Sequence, residues 1–272
     1  MAIKNDTINP KLIKTLDLAI EVPGVKVNRT AFLTERFKVT KEDRDKLLDE
    51  GPASLFTAEE LDKAAEKSIN YLTSESAAAS FALGLPGGLA MAASIPADIL
   101  QNMAFALRLA QELGYIYGYE DIMDESDKLT DEAYEMLMIF LGVMFGAQAA
   151  ASLLRVAAQN SAKYAAKQVM TKALTKTAWY PLLKKISAVV AAKTLTKQGL
   201  AKGVAKIIPI IGGVASGALT FATMKPMGKR LKKELAKLVN YTEEDYLRDI
   251  KDVTNSMEVD ETQSDEVEVA NG

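Results

Sequence analysis

The chain has 272 residues, no cysteine, no histidine and a formal net charge of −3. Those two absences remove disulfides, thiolate nucleophiles, cysteine-based metal, haem and iron–sulfur sites, and the commonest metal ligand and neutral-pH base. Apolar residues reach 49% while aromatics stay at 7%, and because the excess is Ala, Leu, Val, Ile and Met, the composition predicts packed helices with little or no β structure.

Residues 1–50 read as short polar helices, in which Leu12, Ile13, Leu16, Leu18 and Ala19 give a weak apolar face before Pro23 and Gly24 interrupt it. The N-terminus reaches no apolar run before Asp17 and Glu21, so no secretory signal is expected, and without a disulfide framework the expected location is the cytoplasm. Thr57 followed by Glu60 is a capping box, in which hydroxyl and carboxylate satisfy orphan amides at the head of a helix running toward Ser80. From Ala77 to Ala97 there is no charge, but Gly84, Pro86, Gly87, Gly88 and Pro96 break the run into short pieces. Ser94, Pro96 and Asp98 then form a new helix head, with proline and an acid in the first turn, and that helix extends to about Tyr117. The acid-rich segment Tyr119–Asp131 reads as a solvated connection, after which Thr130 caps one long apolar helix through roughly Gln159.

Lysines follow in i, i+4 pairs: Lys163/Lys167, Lys172/Lys176, Lys193/Lys197 and Lys202/Lys206. The run from Ala162 to Lys176 recurs from Ala192 to Lys206 at an offset of 30 residues, consistent with a duplicated basic helical unit. A glycine-containing apolar stretch, Ile207–Met224, leads into a basic helix from about Met227 to Asn240. Thr242 caps one last short helix, and from about Thr254 the chain has the acidic, poorly apolar composition of a disordered tail. The fold expected is an all-α multi-helix bundle with Gly/Ala-rich apolar helices, divided into a helical extension over 1–56, a main helical domain over 57–240 and an acidic tail over 241–272.

Charge is distributed unevenly. Residues 1–154 carry 14 Lys/Arg against 24 Asp/Glu, residues 155–240 carry 17 against 1, and residues 241–272 carry 2 against 11. A block of 86 residues whose single acid is Glu234 calls for anionic company. The acidic N-terminal part of the same molecule can supply it; so can an external anion. Aromatics are sparse beside these lysines, with Tyr164, Trp179, Tyr180 and Phe221 alone, and the helices are rich in Ala, Val, Ile and Leu. An apolar face beside a lysine face describes an interfacial helix better than a nucleic-acid surface, so anionic lipid is the expected ligand and nucleic acid is not.

Three uncharged runs, 77–97, 136–154 and 207–224, have the length of membrane spans. The first is interrupted by prolines, and the third is flanked by Lys206 and Lys225, so spanning would carry one basic flank across the bilayer, against the positive-inside rule. Buried core helices, shallow or re-entrant insertion and true spanning all remain open at this level. No catalytic motif stands out. Gly84–Gly88 is not a dinucleotide fingerprint, no phosphate loop ends in Gly-Lys-Ser/Thr, and the acids at 120–127 lack the alternating ligands and central glycine of a calcium loop. No cofactor or metal is expected, and Asp98, near Asn102 and Arg108, reads as a helix-head or paired acid.

The stretch Ala93-Ser-Ile-Pro-Ala-Asp-Ile-Leu through Arg108 to Tyr117-Gly118-Tyr-Glu-Asp121 resembles the EcsC protein family, in which a Pro-Asp helix, a downstream Arg and a closing Tyr-Gly-acid recur. Ile208-Pro209-Ile-Ile-Gly212-Gly213, followed by Gly217 and the basic Lys229-Arg230, is similar to its second hallmark, and the two span residues 57–240. The resemblance singles out Pro96, Asp98, Arg108, Tyr117, Gly118, Pro209, Gly212, Gly213 and Gly217. It implies a bacterial protein with an accessory role in secretion or envelope function, by analogy with a member encoded beside an ABC transporter. Taken together, the residues predict a non-enzymatic protein peripheral to the cytoplasmic face of a membrane. Lys163, Lys167, Lys172, Lys176, Lys193, Lys197, Lys202, Lys206, Lys229 and Arg230 would hold anionic lipid or a membrane partner, with a transporter-related protein as the partner implied by the family. A protein-binding adaptor or immunity-like protein without lipid contact is the alternative, and an integral membrane protein the next.

Overall fold

A computed structural model of the chain describes residues 9–74, 95–121, 131–159, 179–195 and 215–270. Every regular element among them is helical: α1 Pro10–Ile20, α2 Arg29–Phe37, α3 Lys41–Asp49, α4 Ala58–Leu72, α5 Ala97–Ile116, α6 Asp131–Phe145, α7 Ala150–Gln159, α8 Tyr180–Thr194, α9 Ala215–Ala236 and α10 Glu243–Ala270, with 3-10 turns at Pro52–Ser54 and Lys237–Asn240. The all-α expectation holds.

The organising element is α5. Met103 to Leu107, Leu109 to Leu113, Tyr115 and Ile116 are buried, and a helix apolar on nearly every side must lie inside the bundle. Around it pack α1, α2, α4, α6, α8 and α9. The helices of the predicted N-terminal extension therefore join this core: Leu12, Leu16 and Ala19 of α1 and Leu33 of α2 are fully buried. The capping box at Thr57 forms as expected, with the Glu60 carboxylate accepting from the Thr57 amide at 2.8 Å. Helix α5 begins just after Pro96 and ends at Ile116, where Gly118 adopts φ +92°. The Gly118 and Tyr119 amides donate back to the Tyr115 and Gly114 carbonyls, a Schellman closure that glycine enters without strain.

Three expectations are corrected. The single apolar helix to Gln159 is two helices, because Gly146 takes φ +67° and its amide and that of Ala147 close onto Val143 and Gly142, reversing the chain before α7. The boundary drawn between the apolar stretch and the basic helix near Met227 does not exist. Met224, Met227, Leu231 and Leu235 form one buried stripe that runs through the exposed Pro226, so α9 is continuous. The last helix, expected to stop near Thr254, runs to Ala270; Tyr246, Asp249 and Val253 are buried, and Ile250 and Met257 pack partly against the core. That i, i+3, i+7 stripe pins its first half to α7 and α8. The Thr130 cap, the run 77–94, most of the 30-residue repeat and the run 207–214 lie outside the described residues.

Candidate functional site

Helix α9 is two-faced. Its buried stripe packs on α4, α5 and α6, and Gly228 lets it come close: a β-carbon there would lie 2.8 Å from a Leu109 methyl and 3.1 Å from Ile69. On the side away from that packing Lys225, Lys229 and Lys233 recur every four residues and are exposed, a spacing that lines side chains along one helix face. Among the described residues no carboxylate pairs with any of the three.

Neighbouring cations are spent inside the fold. Arg230 donates to the Met144 carbonyl at 2.7 Å, and Lys193 donates to the Phe145 carbonyl. These are the last carbonyls of α6, where the helix dipole is negative and orphan acceptors need donors. Lys232, partly buried, bonds Asp62 at 3.0 Å and Glu66 at 2.7 Å, tying α9 to α4. Burial alone would lower its pKa, but the hydrogen bonds it donates to these two carboxylates outweigh that and raise it. Lys237 pairs with Glu234 at 2.7 Å.

Arg155 anchors a buried network. Its guanidinium grips Asp249 with two bonds of 2.6 Å and donates a third to Glu234, while the Tyr241 hydroxyl also donates to Asp249. Burial pushes the Asp249 carboxyl up, yet the bonds from Arg155 and Tyr241 hold its pKa below the ordinary carboxylate range. For Arg155 burial acts downward and the Asp249 bond upward, and the net is a raised pKa. Burial and the same carboxylate push the Tyr241 phenol upward. Nearby, Lys185 of α8 donates to the Ser256 carbonyl at 2.6 Å. Helices α7, α8, α9 and α10 are thus joined by charge as well as by packing.

Of the lysines expected to meet an anion, Lys193, Lys229 and Arg230 are described. Lys163, Lys167, Lys172, Lys176, Lys197, Lys202 and Lys206 lie outside the described residues. Of the family-motif positions, Pro96 is the exposed cap of α5, and Asp98 stands in its first turn. Arg108 pairs with the buried Glu112 one turn on, at 2.9 Å, and donates to the Gly24 carbonyl. Beside it Gln111 bonds the Val25 carbonyl and the Val27 amide, so these two side chains fasten residues 24–27 to α5. Tyr117 is buried, its hydroxyl without a hydrogen-bond partner among the described residues, and burial raises its pKa. Gly217 lies in the backbone of α9; Pro209, Gly212 and Gly213 fall outside the described residues.

Sequence reading missed Lys225 and Lys233, although their four-residue spacing with Lys229 repeats the pattern used for the other lysines. It also missed the Arg155–Asp249 pair, for which a base and an acid on apolar stripes 94 residues apart give no local signal. Among the described residues no helix is long and apolar enough to cross a membrane, and no group of acids is arranged to hold a metal ion. Compared with family models, with curated proteins and with solved structures, the chain finds no match.

Proposed function

We propose that this chain is a non-enzymatic accessory protein that sits peripherally on the cytoplasmic face of a bacterial membrane, in the manner the EcsC-like motifs suggest, and binds anionic lipid there through its lysine-bearing helices. The observation that carries the reading is the exposed stripe Lys225, Lys229 and Lys233 on a helix whose opposite face is locked into the core. A rigid row of ammonium groups suits a sheet of phosphates, at about 1 kcal/mol per lysine near an anionic surface. Arg230 and Lys193 stiffen the row's support by closing the end of α6. Full-length protein should pellet with vesicles of phosphatidylglycerol and phosphatidylcholine at low salt, and Lys225→Gln, Lys229→Gln, Lys233→Gln should weaken that binding by at least tenfold. Protein that stays in the supernatant at low salt sinks the proposal.

A second reading, a protein-binding adaptor without lipid contact, draws on the internal use of Arg155, Lys232 and Lys237. It predicts that the triple variant leaves a tagged protein's captured partner unchanged while vesicles bind neither form.

A further inference from the structure

Cations from two helices meet at the end of a third. Lys193, near the end of α8, donates to the Phe145 carbonyl, and Arg230, in the middle of α9, donates to that of Met144 at 2.7 Å. Those carbonyls belong to adjacent residues in the last turn of α6, so the two charged heads stand within a Debye length of each other, about 10 Å at 0.1 M salt. A carbonyl is neutral. Each bond takes one donor and fixes the group in place, while the full positive charge and further N–H donors remain. Both side chains are exposed, so those donors are open to solvent. The helix end supplies only about half a negative charge against two whole positive ones.

On α9 the exposed Lys229 precedes Arg230 by one residue and the exposed Lys233 follows it by three. Glu234, the acid next in sequence, is held by Arg155 and Lys237. Among the described residues no carboxylate pairs with Lys193, Lys229, Arg230 or Lys233. Like charges three or four residues apart on a helix repel, and a multiply charged anion relieves that repulsion.

We propose that Lys193, Lys229, Arg230 and Lys233 form a subsite for a phosphate monoester. This rests on the reading of the lysine row as lipid-binding and names the head group it prefers. The guanidinium takes two phosphate oxygens with its planar fork and the lysines act as point charges. Because Arg230 and Lys193 are already fixed by the end of α6, little side-chain freedom is lost on binding. A monoester carries about −1.5 to −2 at pH 7, since its second pKa lies near 6; a diester such as phosphatidylglycerol carries a single charge.

The test titrates full-length protein with vesicles of matched charge, 10% phosphatidic acid against 20% phosphatidylglycerol in phosphatidylcholine, at pH 7.5 and 0.1 M salt. Smeared charge alone gives equal binding. The subsite gives at least about fivefold tighter binding to phosphatidic acid, a preference lost at pH 5.5, where the monoester regains its second proton. Lys193→Gln with Arg230→Gln leaves an amide donor for each carbonyl, removes both charges and should bring the ratio to about one. Should that variant melt early, Lys233→Gln, which holds no carbonyl, should still cut the ratio by about half. Lys225 stands about 7.5 Å along α9 from Arg230, and Lys225→Gln should weaken both vesicles alike and leave the ratio unchanged. Glycerol 3-phosphate separates the two sources of a monoester: binding at micromolar concentration without vesicles identifies a free phosphate as the ligand, and weaker binding or none identifies the lipid. Equal binding to the two vesicles, or a preference that survives these variants, overturns the subsite and leaves the lipid reading standing. If neither vesicle binds but glycerol 3-phosphate does, the lipid reading fails and the subsite stands; if nothing binds, both fail.

Discussion

Asp249→Asn changes one charge and almost no volume, and the structure sets what it should cost. Arg155 spends three donors on two carboxylates, and its side chain is 9% exposed against 1% for Asp249. The asparagine carbonyl can keep one Arg155 bond, now to a neutral acceptor, but its amide then faces either a guanidinium N–H or the Tyr241 hydroxyl. Removing one partner of a buried pair costs about 3–5 kcal/mol, and because Glu234 still answers part of the guanidinium charge the loss here should fall near the lower end, about 3 kcal/mol. For a chain of this size that is a fall of about 6–12 °C in Tm. Thermal unfolding followed by circular dichroism gives the number, and hydrogen exchange locates it: amides of 243–257 should lose protection first, before those of α5. A loss under about 1 kcal/mol, or protection lost evenly across the bundle, would refute the view that this pair holds α10 down.

Acid should act through the same carboxylate. A folded pKa held below its unfolded value contributes stability that is present above the ordinary carboxylate range near 4 and is lost as pH falls through the depressed folded value. The stability gap between wild type and Asp249→Asn, measured by urea unfolding, should therefore be constant from pH 7 to 5 and shrink below about pH 4; a gap independent of pH down to 3 contradicts it. Gly142→Ala tests a close approach between α6 and α8. The added methyl would sit 2.4 Å from Ile186 Cγ2 and 3.1 Å from Ala150 Cβ, and an overpacking cost of about 1–3 kcal/mol is set against roughly 1 kcal/mol gained in helix propensity. A net loss of about 1–2 kcal/mol is expected, partly restored by Ile186→Leu, which removes the clashing γ-methyl. A neutral or stabilising Gly142→Ala would show that α6 and α8 are less tightly matched.

What was legible in the sequence follows the range of the physics involved. The capping box at Thr57 and Glu60, the head of α5 near Pro96 and its end at Tyr117 are decided within one or two helical turns; the box and the end form where they were read, and the head lies a residue further on, with Pro96 as the cap rather than in the first turn. The break after Phe145 was locally encoded as well, but Gly146 sits in an uncharged run whose apolar continuity masked it. The long reach of α10 was missed because composition suggests disorder, whereas Tyr246, Asp249 and Val253 hold its first half through partners on α7 and α8. Arg108 shows the limit most clearly. It serves Glu112 and the Gly24 carbonyl, the latter a contact 84 residues away in the chain that no local pattern announces.

The division of the basic block into exposed and internal cations leads to a last prediction, on salt. Lys225, Lys229 and Lys233 stand in solvent, where charges separated by more than a Debye length are screened, about 10 Å at 0.1 M and 3 Å at 1 M. Arg155 is enclosed by protein and by its own anions, so added salt reaches it far less. Raising salt from 0.05 to 0.5 M should then strip the protein from anionic vesicles, with the logarithm of the affinity falling roughly linearly with the logarithm of salt as counterions are exchanged, while Tm moves by no more than a few degrees. Lipid binding and unfolding would separate cleanly in one titration. If instead both fall together, the cations that meet the membrane are the same ones that hold the helices to each other, and binding proceeds by opening the bundle rather than by docking its surface.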